Sequence, residues 1–223
     1  MPIISNAEMK RITFITGHYG SGKSECSANL AIQKKIPFLV DLDIVNPYFR
    51  TRELEELFAS HQIETVHSSI KKSIGSDLPY IDQKAFLPFY NKEMTAIYDL
   101  GGDGVGAILL RQFEEWITED VDLLLCINIY REETATVEKI IQMKNLIEGK
   151  GGIRITGLIN NSNFLRDTTE EDILLGQKIV KEVSQMTGLP IVYTSYYQSM
   201  TIHPEYYEGE LLPLALYLRK KWL

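Results

Sequence analysis

Short apolar runs punctuate this chain at residues 12–16, 38–42, 96–100, 123–129, 153–159 and 190–193. They are rich in the β-branched, aromatic and aliphatic residues of a buried strand. Between most of them lie stretches with apolar positions at helical spacing and polar opposite faces. These predict helices over 23–35, 51–60, 105–117, 133–148, 169–187 and 209–221. Strands alternating with helices read as βαβ units, because a parallel pair needs a long crossover. The expected fold class is α/β with three layers, a mostly parallel twisted sheet carrying helices on both faces.

Punctuation along the chain sharpens this pattern. Thr168 or Thr169, ahead of Glu170, Glu171 and Asp172, marks the start of the fifth helix. The stretch 61–93 is the least regular, with Ser68, Ser69, Ser73, Gly75, Pro79 and Pro88. It reads as a mobile insertion over a site or as an ordinary surface connection. Neither a repeat nor a low-complexity linker interrupts the sequence, so residues 1–223 are expected to form a single domain. Acidic runs such as Glu53 to Glu56 and Glu170 to Asp172 read as solvated helix faces.

Composition narrows the classes of function. A fold of this length buries about 70–75% of its unfolded surface without needing disulfides or metals. Cys26 and Cys126 stand far apart, with no C-x-x-C and no histidine pair at ligand spacing, so each reads as a small buried residue. That argues against a metal-cluster carrier. The first ten residues lack the order of a signal peptide and no apolar run approaches membrane-spanning length, so a cytoplasmic protein without a stable membrane anchor is expected. Formal net charge is −7, and basic pairs such as Lys34-Lys35 and Lys71-Lys72 are scattered, which argues against direct nucleic-acid binding.

The chemistry concentrates behind the first strand. Gly17-His18-Tyr19-Gly20-Ser21-Gly22-Lys23-Ser24 fills the phosphate-loop pattern G-x-x-x-x-G-K-S/T. Glycines let backbone N–H groups turn toward a polyphosphate, Lys23 reaches its terminal phosphates, Ser24 ligates magnesium, and the helix predicted over 23–35 points its positive end at the anion. The rival dinucleotide fingerprint G-x-G-x-x-G, begun at Gly20, fails because its third glycine position is Glu25.

Acids are expected at the carboxyl ends of neighbouring strands. Asp41 and Asp43 follow one apolar run at alternate positions, and Asp43, further out, is better placed for metal or water. Asp99 ends another run and is followed by Gly101, Gly102 and Asp103, as expected of a Walker B carboxylate with a γ-phosphate-sensing turn. Asn160, Asn161 and Asn163 end a fourth run; side-chain amides there suit either the edge of a purine or a turn. Six tyrosines crowd residues 193–217 and read as packing, with a base-stacking wall or partner surface as the alternative.

With these pieces in order, residues 10–200 resemble the MinD/ParA/CobQ/CobB superfamily of deviant-Walker P-loop proteins. Nearest in pattern is a bacterial branch of ATP-binding proteins with a similar loop and a switch I similar to residues 40–50. The resemblance implies an ATP- and Mg2+-dependent ATPase acting as a nucleotide-state switch, with a nucleotide-dependent homodimer and a further protein partner. It assigns Lys23, Asp43 and Asp99 as catalytic, with Asp43 positioning water, and Ser24, Asp43 and Asp99 as the metal set. The nucleotide is assigned to residues 17–25, Gly102 and base-contacting Asn161, with the loop after Pro190 against the base.

One position departs from that pattern. The signature lysine that reaches across the dimer is replaced by His18, so either His18 makes a weaker cross-dimer contact or another cation, Arg50 or Arg52, assists hydrolysis. Two other readings share the scaffold. One is a small-molecule kinase or ligase of the CobB or dethiobiotin-synthase kind, with an acceptor pocket in 61–93; the other is a nucleotide-binding regulator with negligible turnover. An amidotransferase module with a nucleophilic cysteine is not expected in these residues. Adenine is favoured over guanine because 160–163 is not the guanine-reading N-K-x-D pattern.

Overall fold

The structure is a computed structural model that describes residues 9–43, 52–67, 81–102 and 104–218. Among these residues eight strands form one sheet: β1 (Ile12–Thr16), β2 (Phe38–Asp41), β3 (Glu64–His67), β4 (Ala96–Asp99), β5 (Val121–Ile127), β6 (Gly157–Asn160), β7 (Ile191–Tyr197) and β8 (Glu210–Leu214). Their order is β3-β2-β4-β1-β5-β6-β7-β8, and every neighbouring pair is parallel.

The helices are α1 (Lys23–Gln33), α2 (Arg52–Ser60), α3 (Leu87–Tyr90), α4 (Gly104–Leu110), α5 (Val137–Gly151) and α6 (Glu170–Thr187). Alternation along the strands divides the core into two layers. Ile15, Leu39, Ile97 and Leu124 face Leu30 of α1 and Phe58 of α2, whereas Phe14, Val40, Tyr98 and Leu123 face Phe113, Ile140 of α5 and Val180 of α6. Phe14 stacks on Tyr98 at a centroid distance of 4.5 Å, and Tyr98 donates to the Ala85 carbonyl at 2.6 Å, closing that layer.

Most predicted elements are present with shifted ends. The run at 153–159 yields its strand only from Gly157, and the helix expected over 105–117 changes at Arg111 to a 3-10 segment ending at Trp116. Thr169 caps α6 through a reciprocal capping box with Asp172. Within 61–93, β3 adds an edge strand, and Ala85 on a 3-10 turn packs into the core; residues 68–80 lie outside the described residues.

The helix expected over 209–221 is corrected. Residues Glu210–Leu214 are a strand paired with β7, in register Thr194↔Leu211 and Tyr196↔Pro213. Pro213 has no N–H to continue a helical ladder but is tolerated on an edge strand, and Leu212 and Leu214 alternate into the core beside Tyr193.

Candidate nucleotide site

Between β1 and α1 the chain must leave a buried strand and enter a helix within six residues. Gly22 makes the last step in a left-handed conformation, φ 85°, as the N-cap of α1. No side chain caps the helix there, and the positive end of the α1 dipole faces the loop. A Cβ on Gly22 would meet Asn161 Nδ2 at 2.2 Å, and one on Gly102 would meet the Gly17 carbonyl oxygen at 1.5 Å. The loop is thus gripped from the end of β6 and from the turn after β4.

The carboxyl ends of β1, β2 and β4 lie side by side, with Asp41 and Ile15 both in register with Asp99. Lys23 Nζ pairs with Asp43 Oδ2 at 3.0 Å, with both side chains almost fully buried. Ser24 Oγ donates to Asp99 Oδ2 at 2.5 Å. The Asp43 N–H donates to Asp41 Oδ1 at 3.0 Å, turning the chain so that Asp43 faces Lys23. The three residues expected to hold the metal are therefore brought together around Lys23. Asp103, Arg50 and the Arg52 side chain lie outside the described residues.

Burial dominates the electrostatics of Asp99. Desolvation pushes its carboxyl up to about 7, against the opposing pull of Lys23, with Asp41 raising it further and the Ser24 bond lowering it. Asp99 Oδ1, Asp41 Oδ2, Thr16 Oγ1 and Ser21 Oγ are buried without a hydrogen-bond partner. Buried polar atoms that lack a hydrogen bond around one lysine fit a site completed by a ligand. Among the described residues no three His, Cys, Asp or Glu side chains are placed to hold a metal by themselves. One hydroxyl and one or two carboxylates suit Mg2+, which takes its remaining oxygens from phosphates and water.

A cavity opens beside the loop. Gly20, Gly22, Lys23, Ser24 and Glu25 line it, with Arg131, Asn161, Asn163 and Leu165 on one side and Leu214, Leu216 and Leu218 on the other. This placement differs from expectation in two respects. Asn161 Nδ2 donates to the Ser21 carbonyl at 2.6 Å and its Oδ1 accepts from Ser195 Oγ, so this amide braces the phosphate loop. The residues after Pro190 form β7, and the apolar wall comes from the chain leaving β8.

That wall was missed in the sequence because α1 holds it. Glu25 accepts the Tyr217 N–H at 2.6 Å and the Leu218 N–H at 3.2 Å, Asn29 exchanges two bonds with Ala215, and Gln33 donates to the Pro213 carbonyl at 2.6 Å. The signal was Glu25, Asn29 and Gln33 at four-residue spacing, a polar stripe on a helix buried from Lys23 to Ala31. Glu25, expected at the nucleotide, thus directs its carboxylate to the C-terminal segment. At the loop's outer edge Tyr19 is 58% exposed, and His18 Nδ1 lies 3.4 Å from Glu133. The two cysteine sulfurs lie 4.0 Å apart beneath the loop, buried as expected.

No family model matches the sequence, and no curated protein matches it. Among solved structures the chain is similar to FlhF complexed with GMPPNP and Mg2+. The identity is 15%, the TM-score 0.41, and the match covers 68% of this chain and 55% of that one. The chain's own topology defines its class. It has a three-layer α/β fold of the P-loop type. No helix among the described residues is long and apolar enough to cross a membrane.

Proposed function

We propose that this chain is a Mg2+-dependent ATP-binding protein of the MinD/ParA/CobQ type that hydrolyses ATP and uses nucleotide state as a switch. The observation that carries the reading is the meeting of Lys23 with Asp43 and of Ser24 with Asp99 at one strand edge, at the N-terminus of a helix that no side chain caps. Lys23 would hold the terminal phosphates, while Ser24 and Asp99 would hold the metal. A bound Mg2+ neutralises charge on the phosphates.

Asp43 orients the attacking water by accepting its hydrogen bond. That carboxylate pairs with Lys23, so nucleotide binding that draws Lys23 toward phosphate makes Asp43 available to water. The same exchange supports a switch, because Asp43 lies within residues 40–50, the segment that resembles switch I. Leu214, Leu216 and Leu218 offer the apolar surface for a base, and adenine is favoured because 160–163 lacks the guanine-reading pattern. Nucleotide-dependent homodimerisation, and a protein partner read from the switch, belong to the same proposal.

The test is binding and turnover of ATP and GTP by the purified protein, with and without Mg2+, alongside Lys23→Ala and light scattering. Slow Mg2+-dependent ATP hydrolysis lost in Lys23→Ala, with dimer formed in ATP, is expected. Turnover unaffected by Lys23→Ala would place the chemistry elsewhere, and absence of nucleotide binding would overturn the reading.

A further inference from the structure

The loop after β5 reaches over the phosphate loop and delivers a second cation to it. Asn128, buried at the end of β5, shapes that turn: its Oδ1 accepts the Tyr130 N–H at 3.0 Å, and its carbonyl accepts the Arg131 N–H at 3.1 Å and Thr134 Oγ1 at 2.7 Å. Arg131 extends from this turn so that its Nε donates to the Gly20 carbonyl at 2.9 Å. A Cβ on Gly20 would lie 3.2 Å from that Nε, so the loop's middle glycine gives the guanidinium close access to the backbone.

Charge gives the contact its meaning. Of the residues lining the cavity, two are basic, Lys23 and Arg131. Lys23 is shared with the buried carboxylate of Asp43. Among the described residues no carboxylate lies within ion-pair distance of the Arg131 guanidinium, while the neighbouring His18 stands beside Glu133 of the same loop. A polyphosphate entering this cavity meets one lysine already matched by an acid and one arginine that no acid matches. An arginine tethered through Nε keeps its two terminal NH2 groups in the plane that suits bidentate phosphate contact.

We propose that Arg131 is a second phosphate-binding cation of the site, supplied in cis by the β5 loop. The assignment rests on the reading of this loop as a nucleotide site and extends it. Arg131 discriminates for phosphorylated ligands, and its charge compensates in the same chain for the lysine that His18 replaces.

The test is the affinity of fluorescent ATP, ADP and adenosine analogues for the full chain with Mg2+, in wild type, Arg131→Ala and Arg131→Lys, over a range of salt. Unfolding temperatures of all three report that the fold is kept. Arg131→Ala is expected to weaken ATP about 10- to 100-fold, as loss of a charge-assisted bond implies, and to leave adenosine unchanged. It should also flatten the salt dependence, while Arg131→Lys recovers part of the ATP affinity. ATP affinity within about twofold of wild type in Arg131→Ala, well inside the loss expected of a charge-assisted bond, would overturn the assignment while leaving the site reading intact. Equal weakening of ATP and adenosine would overturn it too, by showing a general change in cavity shape. Wild type that binds none of the nucleotides would instead overturn the reading on which the assignment rests.

Discussion

Helix α1 presents two polar networks that differ in how far their groups are satisfied. Its first residues, Lys23 and Ser24, face the acids at the ends of β2 and β4, where Asp99 Oδ1 and Asp41 Oδ2 are buried without a hydrogen bond and Asp99 is pushed up to about 7. Its other flank, Glu25, Asn29 and Gln33, meets backbone N–H and carbonyl groups of residues 213–218, with donors matched to acceptors. A network that leaves charge and acceptors unmatched is strained toward binding, whereas one that matches them fixes geometry. The two share neighbouring residues of one helix turn, so the wall of the cavity is held by the same helix that holds its floor.

Breaking the first network should have the largest effect. Lys23→Ala takes the ammonium from beside the buried Asp43 carboxylate and is expected to lower stability by about 3–5 kcal/mol, read by denaturant unfolding. Adding Asp43→Asn should return most of that loss, because the charge that Lys23 faces is removed with it. If the single variant is as stable as wild type, Lys23 and Asp43 are not a buried pair.

Breaking the second network should cost somewhat less and act on shape. Glu25→Ala removes a carboxylate that accepts the Tyr217 and Leu218 N–H groups, for an expected loss of about 2–3 kcal/mol. Proteolysis at residues after 214 should accelerate in that variant. Unchanged cleavage would mean that the segment is held by its apolar contacts alone.

Legibility in the sequence follows the same division. The phosphate loop could be read because its conformation depends on residues adjacent in sequence: glycines, a lysine and a strand before it. Asp99 and Asp43 could be ranked because each ends a β-branched or aliphatic run. The conformation of residues 210–214 could not, since Pro213 and the alternation of Leu212 and Leu214 compete with a helical spacing, and partners on α1 about 180 residues earlier decide the outcome. Likewise β3 was hidden because its four residues carry one buried side chain, Val66. Asn161 was legible as important but not in its role, because Ser21 and Ser195 come to it only in the fold.

The unsatisfied network also predicts a pH dependence. Asp99 has its native pKa raised above the ordinary 3.8, so between about pH 4 and pH 7 the folded chain holds a proton that the unfolded chain releases. Stability therefore falls as pH rises through that window. Asp99→Asn should abolish this fall, making the variant more stable than wild type at pH 8 and nearly equal to it at pH 4. Unfolding curves for the two proteins at these pH values check the sign, and a wild type that gains stability from pH 4 to 7 relative to the variant would contradict it. The smallest effect is expected from Gln33→Ala, an exposed bond to Pro213, at about 0.5–1 kcal/mol.

The central claim is that the network around Lys23 is completed by a Mg2+-bound nucleoside triphosphate. Thermal unfolding of the wild-type chain in increasing ATP, with Mg2+ and with chelator, tests it most directly. Ligand at 100 times its dissociation constant stabilises by about 2.7 kcal/mol, so a rise of about 5–10 °C is predicted with Mg2+ and a smaller one with chelator. Superimposable curves in the presence and absence of Mg2+-ATP would contradict the account.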